Sequence, residues 1–277
     1  MTNINSVKQS FDLTDKVAII TGGAGLLGEK HAEAIAEFGG IPILLDINKK
    51  AGTEKAERIS HESQVDCEFE LCDITDESQI LSVRDALLSK FGHIDILINN
   101  AAIDPKVEAK SRKNLSRLEN FPIDQWNLEL AVGLTGAMLC SKIFGHEMAK
   151  KGKGVILNIS SDLGLIAPDQ RIYKKEGLHE NEQAAKPITY SVIKHGLVGL
   201  TKYLATYWAD NGVRVNSISL GGIYTNQNPE FIQKVTNLIP LGRMAQEDEY
   251  KAAVVFLVSD ASTYMTGANL VVDGGRT

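Results

Sequence analysis

Short aliphatic runs alternate with segments of helical length along nearly the whole chain, and this rhythm limits the fold more than any other feature of the sequence. The runs occupy residues 17–21, 41–46, 67–71, 94–99, 154–160, 213–219 and 269–273. Between most of them lie amphipathic stretches; Ile80, Val83, Leu87 and Leu88, for example, recur at the spacing of one helix face. A strand that is apolar on both sides has to be covered on both faces, and strands joined by helices pair in parallel. Right-handed crossovers then predict an α/β, doubly wound Rossmann fold: a seven-stranded parallel sheet with helices on both faces. No second rhythm, repeat or low-complexity linker is present, so residues 1–277 read as a single domain, with 1–13 as a flexible tail. Residues 162–187 break the pattern. They are polar, charged and aperiodic, and they follow the carboxyl end of a strand, where such sheets bind ligands; they read as a substrate-loop insertion.

The net charge of −6 argues against nucleic acid or an anionic membrane as the main partner. No apolar run approaches the length of a membrane span, and the opening residues lack a basic-then-apolar signal pattern, so a cytoplasmic location is expected. Cys67, Cys72 and Cys140 are odd in number and form no C-x-x-C pair; buried free thiols are expected rather than disulfides or zinc ligands, and no metal site is expected.

The first strand runs into "TGGAGLLG", with Gly22, Gly25 and Gly28 around Leu26 and Leu27. Glycines let a backbone approach a pyrophosphate, and the first N–H groups of the following helix hold its charge. Such turns also form simply to make tight corners, so the second strand matters: it ends in Asp46, followed by Ile47, 18 residues after Gly28. A carboxylate there accepts hydrogen bonds from ribose hydroxyls and repels a 2′-phosphate, which favours NAD. The alternatives are a helix cap or a solvated charge, and Lys49 and Lys50 keep NADP as the second choice.

Tyr190 and Lys194 form a Tyr-x-x-x-Lys pair, which a helix places on one face. A nearby cation favours phenolate and suits proton exchange with a carbonyl or alcohol oxygen. Upstream, Ser161 ends a strand in "NISSDLG" with a hydroxyl able to bind the same oxygen. Together with "CDIT", "NNAA", "RVNSISLGGIYT" and "YMTGANLVVDGG", these motifs make residues 14–275 resemble the compact branch of the short-chain dehydrogenase/reductase family.

The resemblance implies roles residue by residue. Tyr190 is the general acid/base, Lys194 binds the nicotinamide ribose and Ser161 orients the reacting carbonyl. Asp73 and Ile74 border the adenine, Asn99 and Ala101 line the cofactor channel, and Ile223 and Thr225 hold the nicotinamide amide. It also exposes departures. Gly133 stands where the family has the asparagine of its proton relay, Leu220 replaces a proline, and the glycine spacing is that of the extended, nucleotide-sugar branch.

Arg171, Lys174, Lys175 and His179, with Lys186, lie in the insertion. As a group they point to a small-molecule substrate that is hydroxylated or anionic, such as a sugar phosphate or nucleotide sugar. "GGIYTNQNPEF" resembles dehydrogenases of bacterial flagellin-glycan and surface-sugar biosynthesis. The expected activity is hydride transfer between nicotinamide and a carbinol or carbonyl carbon. The rivals are an epimerase or dehydratase acting through a keto sugar, and a non-catalytic NAD-binding regulator. Family members of this size also imply a homodimer or homotetramer.

Overall fold

Strands form where the aliphatic runs lie. In the computed structural model, which describes residues 6–103 and 114–277, they are β1 Val17–Thr21, β2 Ile41–Asp46, β3 Glu68–Leu71, β4 Ile96–Asn99, β5 Gly154–Ser161, β6 Val213–Leu220 and β7 Asn269–Val272. All pair in parallel in the order β3-β2-β1-β4-β5-β6-β7, the expected doubly wound sheet. The helices are α1 Leu26–Glu37, α2 Lys49–Ser63, α3 Glu77–Phe91, α4 Ile123–Leu130, α5 Gly136–Lys151, α6 Ile188–Tyr207, α7 Pro229–Thr236 and α8 Lys251–Val258.

Alternate strand residues feed two cores. Ala18, Ile20, Leu44, Ile98 and Leu157 pack under Ile35 of α1, Ile59 of α2 and Val254 of α8. Val17, Ile19, Ile43, Leu97 and Ile156 pack against Leu87 of α3, Phe144 of α5 and Leu204 of α6. This is why the strands read as continuous aliphatic runs: both sides of each are covered. A polar row crosses the second face near the carboxyl edge. Asn99 is in register with Asn158, Asn158 with Ser217, and Ser217 with Asn269. Asn99 Nδ2 donates to Asn158 Oδ1 at 2.8 Å and Ser217 Oγ to Asn269 Oδ1 at 2.8 Å.

The three cysteines are buried and unpaired, and burial raises the Cys67 thiol to about 12 and the Cys72 thiol to about 11. The helical stretch Ile123–Lys151 is long and apolar enough, by length and composition, to cross a membrane. Here half of its most apolar window is buried, with Cys140, Phe144 and Met148 in the core under the sheet.

One expectation changes. Residues 1–5 of the expected tail lie outside the described residues, but 6–13 do not behave as a free tail. Phe11 packs on Phe38 and Phe256, and Leu13 is 2% exposed, because an apolar pair at this point closes the end of the first core. The 162–187 segment packs as a defined element of the cleft. It carries three 3-10 turns, and its Ile172 joins Val235, Ile239 and Met244 in a small separate core beside α7.

Candidate active site

The carboxyl ends of β1, β4, β5 and β6 converge on a cleft of about 360 Å³, closed on its outer side by the 162–187 segment and α7. The glycine-rich loop after β1 lies along one wall. The chain leaves β1 at Gly22 with φ +64, a left-handed value that glycine adopts without a Cβ penalty. A Cβ at Gly22 would stand 2.8 Å from Ala101 Cα, and one at Gly28 would stand 2.2 Å from Gly22 O. Gly23 packs as tightly on Leu44, with 2.8 Å to its Cα. Backbone meets backbone here, and α1 starts directly behind with its first N–H groups facing the loop. Such a cradle fits the pyrophosphate of a dinucleotide.

Its bracing is specific. Thr21 Oγ1 accepts from the Asn100 and Ala101 amides, and Asn100 Nδ2 donates to Thr21 O at 2.9 Å and Gly22 O at 3.2 Å. Asp46 Oδ2 accepts from Ala24 N at 3.0 Å and Oδ1 from Asn48 N at 2.9 Å. The carboxylate thus ties the loop to β2, and with about four lone-pair sites it retains acceptors for ribose hydroxyls. Ile47 is largely exposed beside it. Asp73 Oδ1 accepts from the Thr75 amide and hydroxyl, holding the turn after β3, while Ile74 is buried against Gly136. Asn99 sits beneath the cleft in the polar row, bonded also to Ser141 Oγ at 3.0 Å.

Ser161, Tyr190 and Lys194 all line the cleft. Helix α6 is registered on β5 by Ser160, whose Oγ donates to Lys194 O at 2.9 Å, and by Lys194 Nζ, which donates to Ile159 O at 2.8 Å. Lys194 Nζ then stands 5.7 Å from the centre of the Tyr190 ring, and Lys186 Nζ 4.0 Å from it. Two ammonium groups therefore lie over one aromatic ring. The start of α6 is anchored by Glu129, fully buried in α4, which accepts from Thr189 Oγ1 and from Gln125 Nε2. Gly133 falls in a π-helical turn, 131–135, between α4 and α5. A Cβ there would lie 2.8 Å from Ile193 Cγ2, so Ile193 occupies the space an asparagine side chain would need.

Ile223 and Thr225 line the opposite wall. Gln227 braces them, with Nε2 donating to Ile223 O at 2.7 Å and Oε1 accepting from Thr225 N at 2.8 Å. Of the expected substrate-loop cations, Arg171, Lys174, Lys175 and His179 are exposed and do not line the cleft. Arg171 pairs with Asp169 and Lys174 with Glu180, acids a few residues away that draw them outward. The segment instead presents Ile172, Tyr173 and Lys186 to the cleft. Tyr173 packs on Phe231 of α7. Sequence reasoning missed Asn100, Asp162 and Arg276, all cleft residues.

A family model described as Enoyl-(Acyl carrier protein) reductase matches residues 23–277. The chain is 33% identical over 277 residues to a D-threitol dehydrogenase of Mycolicibacterium smegmatis, covering 98% of this chain and 96% of that protein. It is 32% identical over 274 residues to an NAD-dependent glycerol dehydrogenase of Listeria innocua serovar 6a, covering 97% and 96%. A crystal structure of a short-chain type dehydrogenase/reductase from Mycobacterium marinum matches with a TM-score of 0.82 at 29% identity, covering 98% of this chain and 99% of that one.

Proposed function

The chain belongs to the short-chain dehydrogenase/reductase family and is an oxidoreductase using a nicotinamide dinucleotide, and from that premise we propose that it is an NAD-dependent dehydrogenase of a polyhydroxylated, sugar-type substrate, with residues 1–277 acting as one catalytic domain. The observation that carries the reading is the meeting of Ser161, Tyr190 and Lys194 in one cleft with the glycine cradle. When bound, the nicotinamide accepts or supplies the hydride. Tyr190 moves the proton of the substrate hydroxyl, Ser161 orients the oxygen, and Lys194 and Lys186 hold the phenol in readiness for proton exchange. Gly22, Gly25, Leu26, Leu27 and Gly28 cradle the pyrophosphate. Asp46 and Ile47 meet the adenosine ribose, Asp73 and Ile74 border the adenine, and Ala101 lines the cofactor channel with Asn99 buried beneath it. Ile223 and Thr225 hold the nicotinamide amide.

The substrate class rests on the mixed wall, in which Ser161, Asp162, Lys186 and Arg276 face Tyr173, Phe231 and Met244. The names of the threitol and glycerol dehydrogenases support a hydroxylated carbon chain. The outward turn of Arg171, Lys174, Lys175 and His179 weighs against a sugar phosphate or nucleotide sugar, and the surface-sugar assignment rests on "GGIYTNQNPEF" alone. A turnover panel of polyols, aldonates, sugar phosphates and nucleotide sugars with NAD decides this: polyols or free sugars should give the highest kcat/KM. Retention of tightly bound cofactor without net NADH formation would instead support an epimerase or dehydratase, and NADH binding without any turnover a regulator.

The preference for NAD is tested separately by competition of NADH and NADPH for the protein. Asp46 should make NADH bind at least about tenfold more tightly, since a 2′-phosphate would meet its carboxylate in place of a ribose hydroxyl. Tighter NADPH binding would overturn that reading. For assembly, we place the contact of a homodimer or homotetramer on α4, α5 and α6, where Leu128, Met138, Tyr203 and Tyr207 are exposed.

A further inference from the structure

The Ser161 hydroxyl already has an acceptor. Its Oγ donates to Asp162 Oδ1 at 2.6 Å, and Leu163 N donates to both Asp162 Oδ1 at 2.8 Å and Ser161 Oγ at 3.2 Å. The other oxygen, Asp162 Oδ2, is held by Arg276 Nη1 at 2.7 Å, a residue 114 positions later in the chain. Both side chains are removed from bulk water, at 4% and 7% exposure, yet both residues line the cleft. Arg276 is delivered by a clamp: Asp273 accepts from the amides of Gly275, Arg276 and Thr277. A buried carboxylate is retained only with its charge matched and its lone pairs supplied with donors, and here Arg276 supplies the charge.

A serine hydroxyl has one hydrogen. To bind the reacting oxygen of an alkoxide-like or carbonyl substrate, Ser161 must turn that hydrogen away from Asp162. Oδ1, 2.6 Å from the Ser161 Oγ that would hold the reacting oxygen, is then left with the Leu163 amide as its donor. Of the other polar groups of the wall, Gln227 is committed to its own turn, Asn100 to the glycine-rich loop and Lys194 to Ile159 O. A donor on the substrate restores the lost bond. We propose that Asp162, with its charge balanced by Arg276, is a specificity-determining residue that accepts a hydrogen bond from a hydroxyl on the carbon next to the reacting one. The site then selects vicinal diols and α-hydroxy ketones over simple alcohols and ketones. The exchange is balanced: the bond from Ser161 to Asp162 is replaced by one from Ser161 to the reacting oxygen and one from the neighbouring hydroxyl to Asp162.

This rests on the proposed roles of Ser161, Tyr190 and Lys194, and the experiment separates the two. Initial rates with NAD are measured for 2,3-butanediol and 2-butanol, which differ by the single neighbouring hydroxyl. The wild type should favour the diol by about 100-fold or more in kcat/KM, as sites built to pair a substrate hydroxyl discriminate against its absence. In Asp162→Asn, which keeps the shape and whose folding is checked by NADH binding, that ratio should fall towards one, chiefly through loss on the diol. Arg276→Lys should preserve it. Equal wild-type rates on both substrates, or an Asp162→Asn variant that slows both equally, would overturn this inference while leaving the dehydrogenase reading intact. Absence of turnover on either, and on the whole polyol panel, would remove both.

Discussion

Tyr190→Phe should lower kcat by about 10²- to 10⁴-fold, the usual contribution of a positioned general acid/base, while NADH binding stays within a few-fold of wild type. The substitution removes one oxygen and leaves the ring, so the packing against Lys186 at 4.0 Å and Lys194 at 5.7 Å from the ring centre persists. Lys194 keeps its bond to Ile159 O, and Ser160 keeps α6 registered on β5, so the backbone has no reason to move. The loss should therefore appear in single-turnover hydride transfer rather than in cofactor affinity. Turnover near the wild-type rate would mean that another group carries the proton.

Gly28→Ala should be the most damaging single methyl group in the cofactor half of the molecule. The added Cβ would lie 2.2 Å from Gly22 O and 2.8 Å from Gly23 Cα, and neither is the end of a flexible side chain. Either α1 slides away from the loop or the loop opens, and both widen the cradle. Overpacking of this kind costs about 1–3 kcal/mol, and a comparable loss of loop geometry weakens dinucleotide binding about tenfold or more. Thermal unfolding and NADH titration read the two effects separately. Gly199→Ala is the matched control. It lies inside α6 with nothing within 4 Å of its Cβ position, so it should be neutral or stabilising by up to about 1 kcal/mol. A tolerated Gly28→Ala would show that the spacing of these glycines is not set by backbone contact.

The strands were legible because a buried parallel strand has no polar side to disguise it; β1 and β2 fall where the aliphatic runs begin and end, and the others differ by one or two residues. That Tyr190, Lys194 and Ser161 share one cleft was legible because Tyr190 and Lys194 lie one turn apart on α6 and Ser161 ends β5. What escaped depends on contacts between distant segments. Nothing near Asp162 in sequence announces Arg276, and nothing near Gly133 announces that Ile193 fills its side-chain space. Asn100 was hidden by its neighbour: two adjacent asparagines point to opposite faces, so Asn99 enters the core network and Asn100 reaches the loop. The outward-facing cations could have been anticipated. Asp169 stands two positions before Arg171 and Glu180 six after Lys174, so local pairing competes with any role in the cleft.

The row Asn99, Asn158, Ser217 and Asn269 has a consequence for how the chain finds its alignment. Aliphatic strands such as β4, β5 and β6 offer almost interchangeable partners, and sliding one by two residues would return the same side chains to the same faces. Only the amide and hydroxyl groups would then lose their partners, in an interior where each unmatched polar group is costly. These four side chains therefore act as index marks on an otherwise repetitive surface, and the alignment they enforce is what brings Ser161, at the end of β5, level with Leu220 at the end of β6.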